Sequence, residues 1–335
     1  MQGAVMILAG DIGGTKTRLA VFPAGGSLHE PLREAVFASS GYRSLEDMVR
    51  EFLARPGCAV DKACFGVAGP VTGGRAALTN LPWRLDERHL REILGFESVA
   101  LINDVLATAA AVPHLDKEAI LTLREGRAEP GGNRAVIAPG TGLGEAFMVP
   151  DGGRWRAFAT EGGHTDYAPR SEEEWDLWQF LRGTQDHVSY ETVCSGPGIA
   201  MIYRHLRERF PQEEGPALRE ALAGADDPTP LIVAEAVRGG EACPLCAGTL
   251  RFFASVLGAE AGNLALKVLA TGGIYIGGGI PPRVLPFLRE EGFSRSFAGK
   301  GRMSNLMETI PVHVILEPRA ALLGAAHWLS ERGGA

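Results

Sequence analysis

The chain has 335 residues, 45% of them hydrophobic and 22% charged, with 44 glycines and a formal net charge of −7. That length is large for one core and fits two lobes, and the acidic balance excludes the basic surface a nucleic-acid binder normally carries. No stretch reaches the length needed to span a membrane.

The N-terminal Met1-Gln2-Gly3-Ala4 has no basic region before its short apolar run, so the run Val5 to Ala9 is predicted as a buried strand and not a signal peptide. The run ends on Gly10-Asp11, the chain turns at Gly13-Gly14-Thr15, and Arg18 to Phe22 form a second strand. A tight glycine turn between two strands gathers backbone N–H groups around one point and makes an anion cradle, to which Thr15 adds a hydroxyl. Asp11 at the strand end has the chemistry to hold a hydrated magnesium ion. The hairpin therefore suits nucleotide phosphates. It is neither a Walker A loop nor a strand-GxGxxG-helix unit.

Strand and helix signals then alternate. Arg33 to Ala38 is predicted as a third strand, Leu45 to Leu53 as an amphipathic helix, and Ala63 to Val67 as a strand ending in Gly69-Pro70. Thr79-Asn80-Leu81-Pro82-Trp83 reads equally as a turn with a core tryptophan or as a substrate-facing loop. Asp86 caps a helix to Leu94, and Ser98 to Ile102 is a strand that ends on Asn103-Asp104. A helix through Ala107 to Val112 is stopped by Pro113, and the crossing between lobes is placed there. After a polar loop, Glu125 to Asn133, a second strand system begins at Arg134 to Ala138. It turns at Pro139-Gly140-Thr141-Gly142-Leu143-Gly144 and continues through Glu145 to Val149 and Trp155 to Ala159. The two strand–glycine-turn–strand units suggest an internal duplication. From Ser171 the pattern is mainly helical, with Leu245 to Leu269 fitting one or two buried helices. Gly272 to Ile280 is a strand between glycine turns, Val312 to Leu316 a strand, and Ala320 to Leu329 a helix.

Asn103-Asp104 alone would read as a helix cap. It has company in Glu161-Gly162-Gly163-His164-Thr165-Asp166 and in Glu191, each at an element end. Carboxylates and an imidazole at no zinc spacing suit a polyol, since each carboxylate can accept two hydroxyl hydrogens and Asn103 can donate and accept. One carboxylate can instead take the proton of an attacking hydroxyl. Lys16 divides evenly between phosphate pairing and solvent, Lys300 and Arg302 read as surface charges, and the other histidines have no comparable neighbours. Five cysteines at irregular spacing look like reduced cytosolic thiols, and the Cys243-Cys246 pair lacks the partners of a zinc site.

These segments resemble the bacterial ATP-dependent glucokinases. Asp11-Ile-Gly-Gly-Thr15, Gly66-Val-Ala-Gly-Pro70, Thr79-Asn-Leu-Pro-Trp83, Ile102-Asn-Asp104, Gly140-Thr-Gly-Leu-Gly144, Glu161-Gly-Gly-His164, Ser195-Gly-Pro-Gly198 and Gly277-Gly-Gly-Ile280 occur in that family's order, from about Leu8 to Leu329. The resemblance implies an α/β, two-lobed actin-like ATPase (ribonuclease H-like) fold with an interlobe cleft. Residues 1–106 plus about 315–332 would form a small lobe and 107–314 a large one. It implies transfer of the ATP γ-phosphate to the 6-hydroxyl of glucose in a cytoplasmic homodimer that uses Mg2+ and binds neither membrane nor nucleic acid. Asp104 is the implied general base, and Asn103, Glu161, His164 and Glu191 the implied glucose ligands. Asp11, Gly13, Gly14 and Thr15 with Gly140, Thr141 and Gly142 are the implied phosphate loops, Gly277 and Gly278 the implied adenosine contacts, and Asp11 the implied magnesium residue through water. The related ROK sugar kinases carry a cysteine-rich zinc motif where this chain has Asp166-Tyr167-Ala168-Pro169, and no helix-turn-helix extension points to a repressor. A kinase of mannose, fructose or an N-acetylhexosamine is the alternative, and a non-catalytic actin-like sugar sensor the rival from another class.

Overall fold

The computed structural model describes residues 6–23, 28, 30–54, 60–78, 81–239 and 243–332. Val5, Cys58, Thr79 and Asn80 lie outside the described residues. The chain divides into two compact units, the first of Met1–Lys117, Pro150–Ala159 and Glu317–Ala335, the second of Glu118–Val149 and Thr160–Leu316.

The first unit is built on a five-stranded sheet. Its strands are β1 (Met6–Ile12), β2 (Lys16–Pro23), β3 (Arg33–Ala38), β4 (Lys62–Val67) and β8 (Ser98–Asn103), in the order β3-β2-β1-β4-β8. β1 and β2 pair antiparallel around the glycine turn, while β1, β4 and β8 run parallel. A small sheet of β5 (Val71–Thr72), β6 (Arg75–Ala77) and β7 (Arg84–Asp86) lies between β4 and β8 in the chain. Helix α1 (Leu45–Leu53) starts at Ser44, whose hydroxyl accepts from the Asp47 N–H, and buries Leu45, Met48, Val49 and Phe52 at helical spacing. Helix α2 (Glu87–Leu94) is capped by Asp86 as expected, the carboxylate accepting from the Arg88 and His89 amides. Trp83 is buried in this unit's core, which favours the core reading of its loop.

Helix α3 (Asp104–Ala111) packs on the last helix, α13 (Ala320–Arg332). Gly324 makes this possible, for a Cβ there would lie 1.7 Å from the Ala107 carbonyl oxygen. That contact holds α3 in the first unit, whose first segment runs to Lys117 and past the boundary expected at residue 107.

The second unit carries β9 (Ile120–Arg124), β10 (Arg134–Pro139), β11 (Leu143–Asp151), β13 (Ile274–Ile276) and β14 (Val312–Ile315). With β12 (Arg154–Thr160) they form a sheet of order β12-β11-β10-β13-β14-β9. β10 pairs antiparallel with β11 and parallel with β13, and β13 parallel with β14. The sequence from hairpin to parallel strands thus repeats that of the first sheet, in keeping with a duplication. The helices are α4 (Glu172–Arg182), α5 (Tyr190–Val193), α6 (Gly196–Arg209), α7 (Pro216–Ala223), α8 (Thr229–Gly239), α9 (Pro244–Lys267), α10 (Leu285–Leu288), α11 (Glu291–Ala298) and α12 (Ser304–Thr309). The long apolar pattern is the single helix α9, buried along most of its length and packed by α6, α8 and α11. Among the described residues no single helix is long and apolar enough to cross a membrane.

Two expectations are corrected. Cys243 and Cys246 are not reduced thiols but a disulfide across the first turn of α9, with Cα atoms 5.4 Å apart, whereas Cys64 and Cys194 are buried and in no disulfide. Lys300 is not a surface charge. Its ammonium donates to the Ala259 carbonyl at 2.9 Å and to Asn263 Oδ1, and burial lowers its pKa to about 8.

Candidate functional site

In the first unit the chemistry gathers at the ends of parallel strands. Asp11 is paired across β1 and β2 with Arg18 and across β1 and β4 with Gly66. Burial pushes its carboxyl up to about 6, and the Arg18 guanidinium pulls it partly back. The following turn is closed by the Gly13 N–H, which donates to the Lys16 carbonyl at 3.0 Å. Ser39, which no motif or pattern singles out, braces it. Its hydroxyl donates to the Gly13 carbonyl at 2.7 Å and its N–H to the Thr15 carbonyl at 3.0 Å. Gly14 and Thr15 form the tip of this hairpin.

Asn103 ends β8 and caps α3. Its Oδ1 accepts from the Val105 and Leu106 amides at 2.9 and 3.0 Å, and its Nδ2 donates to the Gly69 carbonyl. The expected role as both donor and acceptor narrows accordingly, because the acceptor is spent on the cap and one Nδ2 hydrogen remains. Asp104 is the first residue of α3, where backbone amides stabilise negative charge. Its Oδ1 accepts from the Val105 N–H at 2.9 Å.

In the second unit Glu161, His164 and Glu191 come together. His164 Nδ1 lies 3.7 Å from Glu191 Oε1, and its Nε2 4.0 Å from Glu161 Oε2. The His164 and Glu161 side chains are 58% and 62% exposed, so their polar ends are open to a ligand. The Gly162–His164 turn sits close against β11. A Cβ on Gly163 would be 2.1 Å from the Leu143 carbonyl oxygen, and one on Gly162 would be 2.0 Å from Glu145 Oε2. Glu191 is anchored from the other side, its Oε2 accepting from the Leu143 N–H at 2.9 Å.

Leu143 closes the second glycine turn. The Gly140 N–H donates to the Gly142 carbonyl and the Gly140 carbonyl accepts from the Gly196 N–H at the start of α6, both at 2.8 Å. A Cβ on Gly142 would lie 2.4 Å from Glu191 Oε2, so this turn and the Glu161-His164-Glu191 group are in contact. Gly140 and Thr141 line a cavity of about 650 Å³ whose wall is mainly apolar. Val233, Ala234 and Val237 of α8 form one side, and Ile280 and Arg283 another. Gly279, not Gly277 or Gly278, reaches this cavity. Gly277 donates to the Ile137 carbonyl, and Gly278, with φ of 88°, packs under Pro139. The α8 wall was not anticipated, although Asp227-Pro228-Thr229-Pro230 carries a helix-start signal. The Asp227 carboxylate accepts from the Thr229 N–H, and the Thr229 hydroxyl donates to the Gly196 carbonyl, which joins the starts of α6 and α8 at the cavity edge.

Among the described residues no group of three or more His, Cys, Asp or Glu side chains could hold a metal by itself. A magnesium ion bound mostly by water and phosphate oxygens needs less, and one carboxylate with a neighbouring hydroxyl is a donor set that fits it. Asp11 offers such a carboxylate, and a divalent charge would offset the burial that raises its pKa.

The family model for glucokinase matches residues 8–332. A glucokinase of Trichormus variabilis is 41% identical over 337 residues, covering 96% of this chain and 98% of the relative. Among solved structures, a glucokinase from an Antarctic psychrotroph is 34% identical with a TM-score of 0.80, over 97% of this chain and 99% of that one. The glucokinase of Balamuthia mandrillaris in complex with glucose shares the fold at 22% identity and a TM-score of 0.81, over 98% and 94% of the two chains.

Proposed function

The chain belongs to the glucokinase family, with the actin-like ATPase fold, and from that premise we propose how its residues divide the transfer of the ATP γ-phosphoryl group to glucose. The observation that carries the reading is the contact between Gly142 and Glu191. One turn presents backbone to a large apolar cavity on one flank and abuts a cluster of hydroxyl-binding side chains on the other. A kinase needs donor and acceptor side by side, and this turn sets them so.

Glu161, His164 and Glu191 hold the sugar's ring hydroxyls, and the remaining Nδ2 hydrogen of Asn103 adds a donor. Asp104 accepts the proton of the 6-hydroxyl as that oxygen attacks the γ-phosphorus in line. Its Oδ1 accepts from the Val105 N–H, which fixes the carboxylate at the start of α3. The amides of Gly14 and Thr15 and of Thr141 and Gly142 take up charge on the phosphoryl oxygens, while those of Gly13 and Gly140 close the two turns. Adenosine occupies the apolar cavity against α8, with Gly279 and Ile280 beneath it. Asp11 would hold Mg2+ through water, and the ion would neutralise phosphate charge there. The enzyme works as a cytoplasmic homodimer, which sedimentation of the purified protein checks.

ADP release from Mg-ATP, measured without sugar and then with glucose, mannose, fructose and N-acetylglucosamine, tests the reading. Strong stimulation by glucose supports it. Stimulation by another sugar alone moves the substrate, and turnover indifferent to every sugar removes the Glu161, His164 and Glu191 assignments.

A further inference from the structure

Glu145 lies inside the second unit, 1% exposed, directly under the turn that carries Glu161 and His164. Neither of its carboxyl oxygens receives a hydrogen bond from a donor among the described residues, and the group within its reach is the Glu260 carboxylate, to which only the protonated acid can donate. Across from it on α9, Glu260 is fully buried but well satisfied, accepting from Lys267 Nζ at 3.1 Å and from Asn263 Nδ2 at 2.8 Å. One carboxyl of the facing pair is thus paired as an anion, and the other is enclosed with nothing to hold a charge.

We propose that Glu145 is a positioning residue for sugar binding, a neutral carboxylic acid on which the Glu161–His164 turn rests, and that its ionisation releases the turn and weakens glucose binding. The inference rests on the assignment of Glu161 and His164 as sugar ligands. The contact is intimate: the site of a Gly162 Cβ is 2.0 Å from Glu145 Oε2 and 2.9 Å from its Cδ, so the turn cannot stay seated if the carboxyl moves outward. Within its segment the Gly162 N–H donates to Thr160 Oγ1 and the Gly162 carbonyl accepts from the N–H and hydroxyl of Thr165, while the Thr165 carbonyl accepts from the Tyr190 N–H of α5 at 3.0 Å. Against β11 it is seated by packing, Gly162 on Glu145 and Gly163 on the Leu143 carbonyl.

The titratable groups facing Glu145 agree. Burial, and then the Glu260 charge, push it up to about 8, against the pull of Lys267. The buried Cys194 thiol is raised well above its ordinary value, first by burial and then by Glu260 and Glu145, so it adds no charge near neutrality. Tyr190 is raised to about 12, by burial and by Glu260, and stays neutral. Above about pH 8 a second anion would form beside Glu260, and the carboxylate's route to solvent is upward through the turn.

Calorimetric titration of glucose, without nucleotide, from pH 7 to 9.5 tests this. For the wild type the glucose Kd rises about tenfold per pH unit above a midpoint near 8, since only the seated form binds. Glu145→Gln, neutral at every pH, keeps the low-pH Kd throughout. Glu260→Gln removes the repulsion and moves the wild-type rise to lower pH. A rise that persists unchanged in Glu145→Gln, or that Glu260→Gln leaves in place, overturns the proposal. Glu161→Gln separates the two ideas. If it weakens glucose at all pH values the sugar-ligand reading stands whatever Glu145 does, and if it leaves the Kd alone that reading fails first.

Discussion

Replacing Gly142 by alanine perturbs one interaction of known geometry. The new Cβ would stand 2.4 Å from Glu191 Oε2 and 3.2 Å from its Cδ, against an ordinary carbon–oxygen contact of about 3.4 Å. The carboxylate must retreat by about 1 Å, which carries its 2.9 Å bond from the Leu143 N–H beyond hydrogen-bond range. A hydrogen bond to a charged group contributes about 1.5–3 kcal/mol, equivalent to ten- to hundredfold in affinity. Glucose Kd, read by calorimetry without nucleotide, should rise by up to that factor because Glu191 is displaced from the position that meets the sugar, and the thermal transition should fall by a few degrees because the same bond is lost from the sugar-free protein. Gly140→Ala is the control two residues away. A Cβ there meets nothing within 4 Å, so glucose affinity should hold, while the KM for ATP rises if phosphate approaches that backbone. A folded Gly142→Ala protein whose glucose Kd stays within about twofold of wild type, whatever its thermal transition, would refute the reasoning.

Glu161→Gln leaves a sugar hydroxyl mismatched and should weaken glucose by about 1–3 kcal/mol, seen as a raised KM with kcat little changed. Stability should fall as pH rises from about 5 to about 8. Folding raises the Glu145 pKa from 4.5 to about 8, so the folded state holds a proton that the unfolded state has lost. The contribution is complete below pH 4.5 and lost as pH passes about 8. Urea titrations across that range should show the slope in the wild type and its loss in Glu145→Gln. Gly324→Ala drives a methyl into the Ala107 carbonyl at 1.7 Å and should cost about 3 kcal/mol or more, read as a lowered urea midpoint.

Local patterns were legible in the sequence where a single element carries its own signal. The limits of β3 and α1 follow from periodicity alone, and Asp86 was readable as a cap because a short acceptor before a helical pattern has few other uses. The polar groups at strand ends were legible for the same reason. What long-range packing decides was not. Glu145 occupies an ordinary position in a hairpin strand, and only the arrival of α9 encloses it. Lys300 looked like a surface charge because the Asn263 and Ala259 oxygens that receive its ammonium lie 37 and 41 residues earlier. The strands β5 to β7 span two or three residues each, too few for any period to show. Asn103 carried two plausible signals, and the structure shows the cap taking its acceptor.

The central claim is that Asp104 moves a proton while other residues bind the sugar. Asp104→Asn keeps the size of the side chain and an acceptor for the Val105 N–H, and removes only the base. The decisive measurement pairs its kcat in ADP release at saturating glucose and Mg-ATP with its glucose Kd by calorimetry. The account expects kcat to fall by about 10²–10⁴ with the Kd within about threefold of wild type. Turnover near wild type, or a loss carried by the Kd with kcat intact, would contradict it.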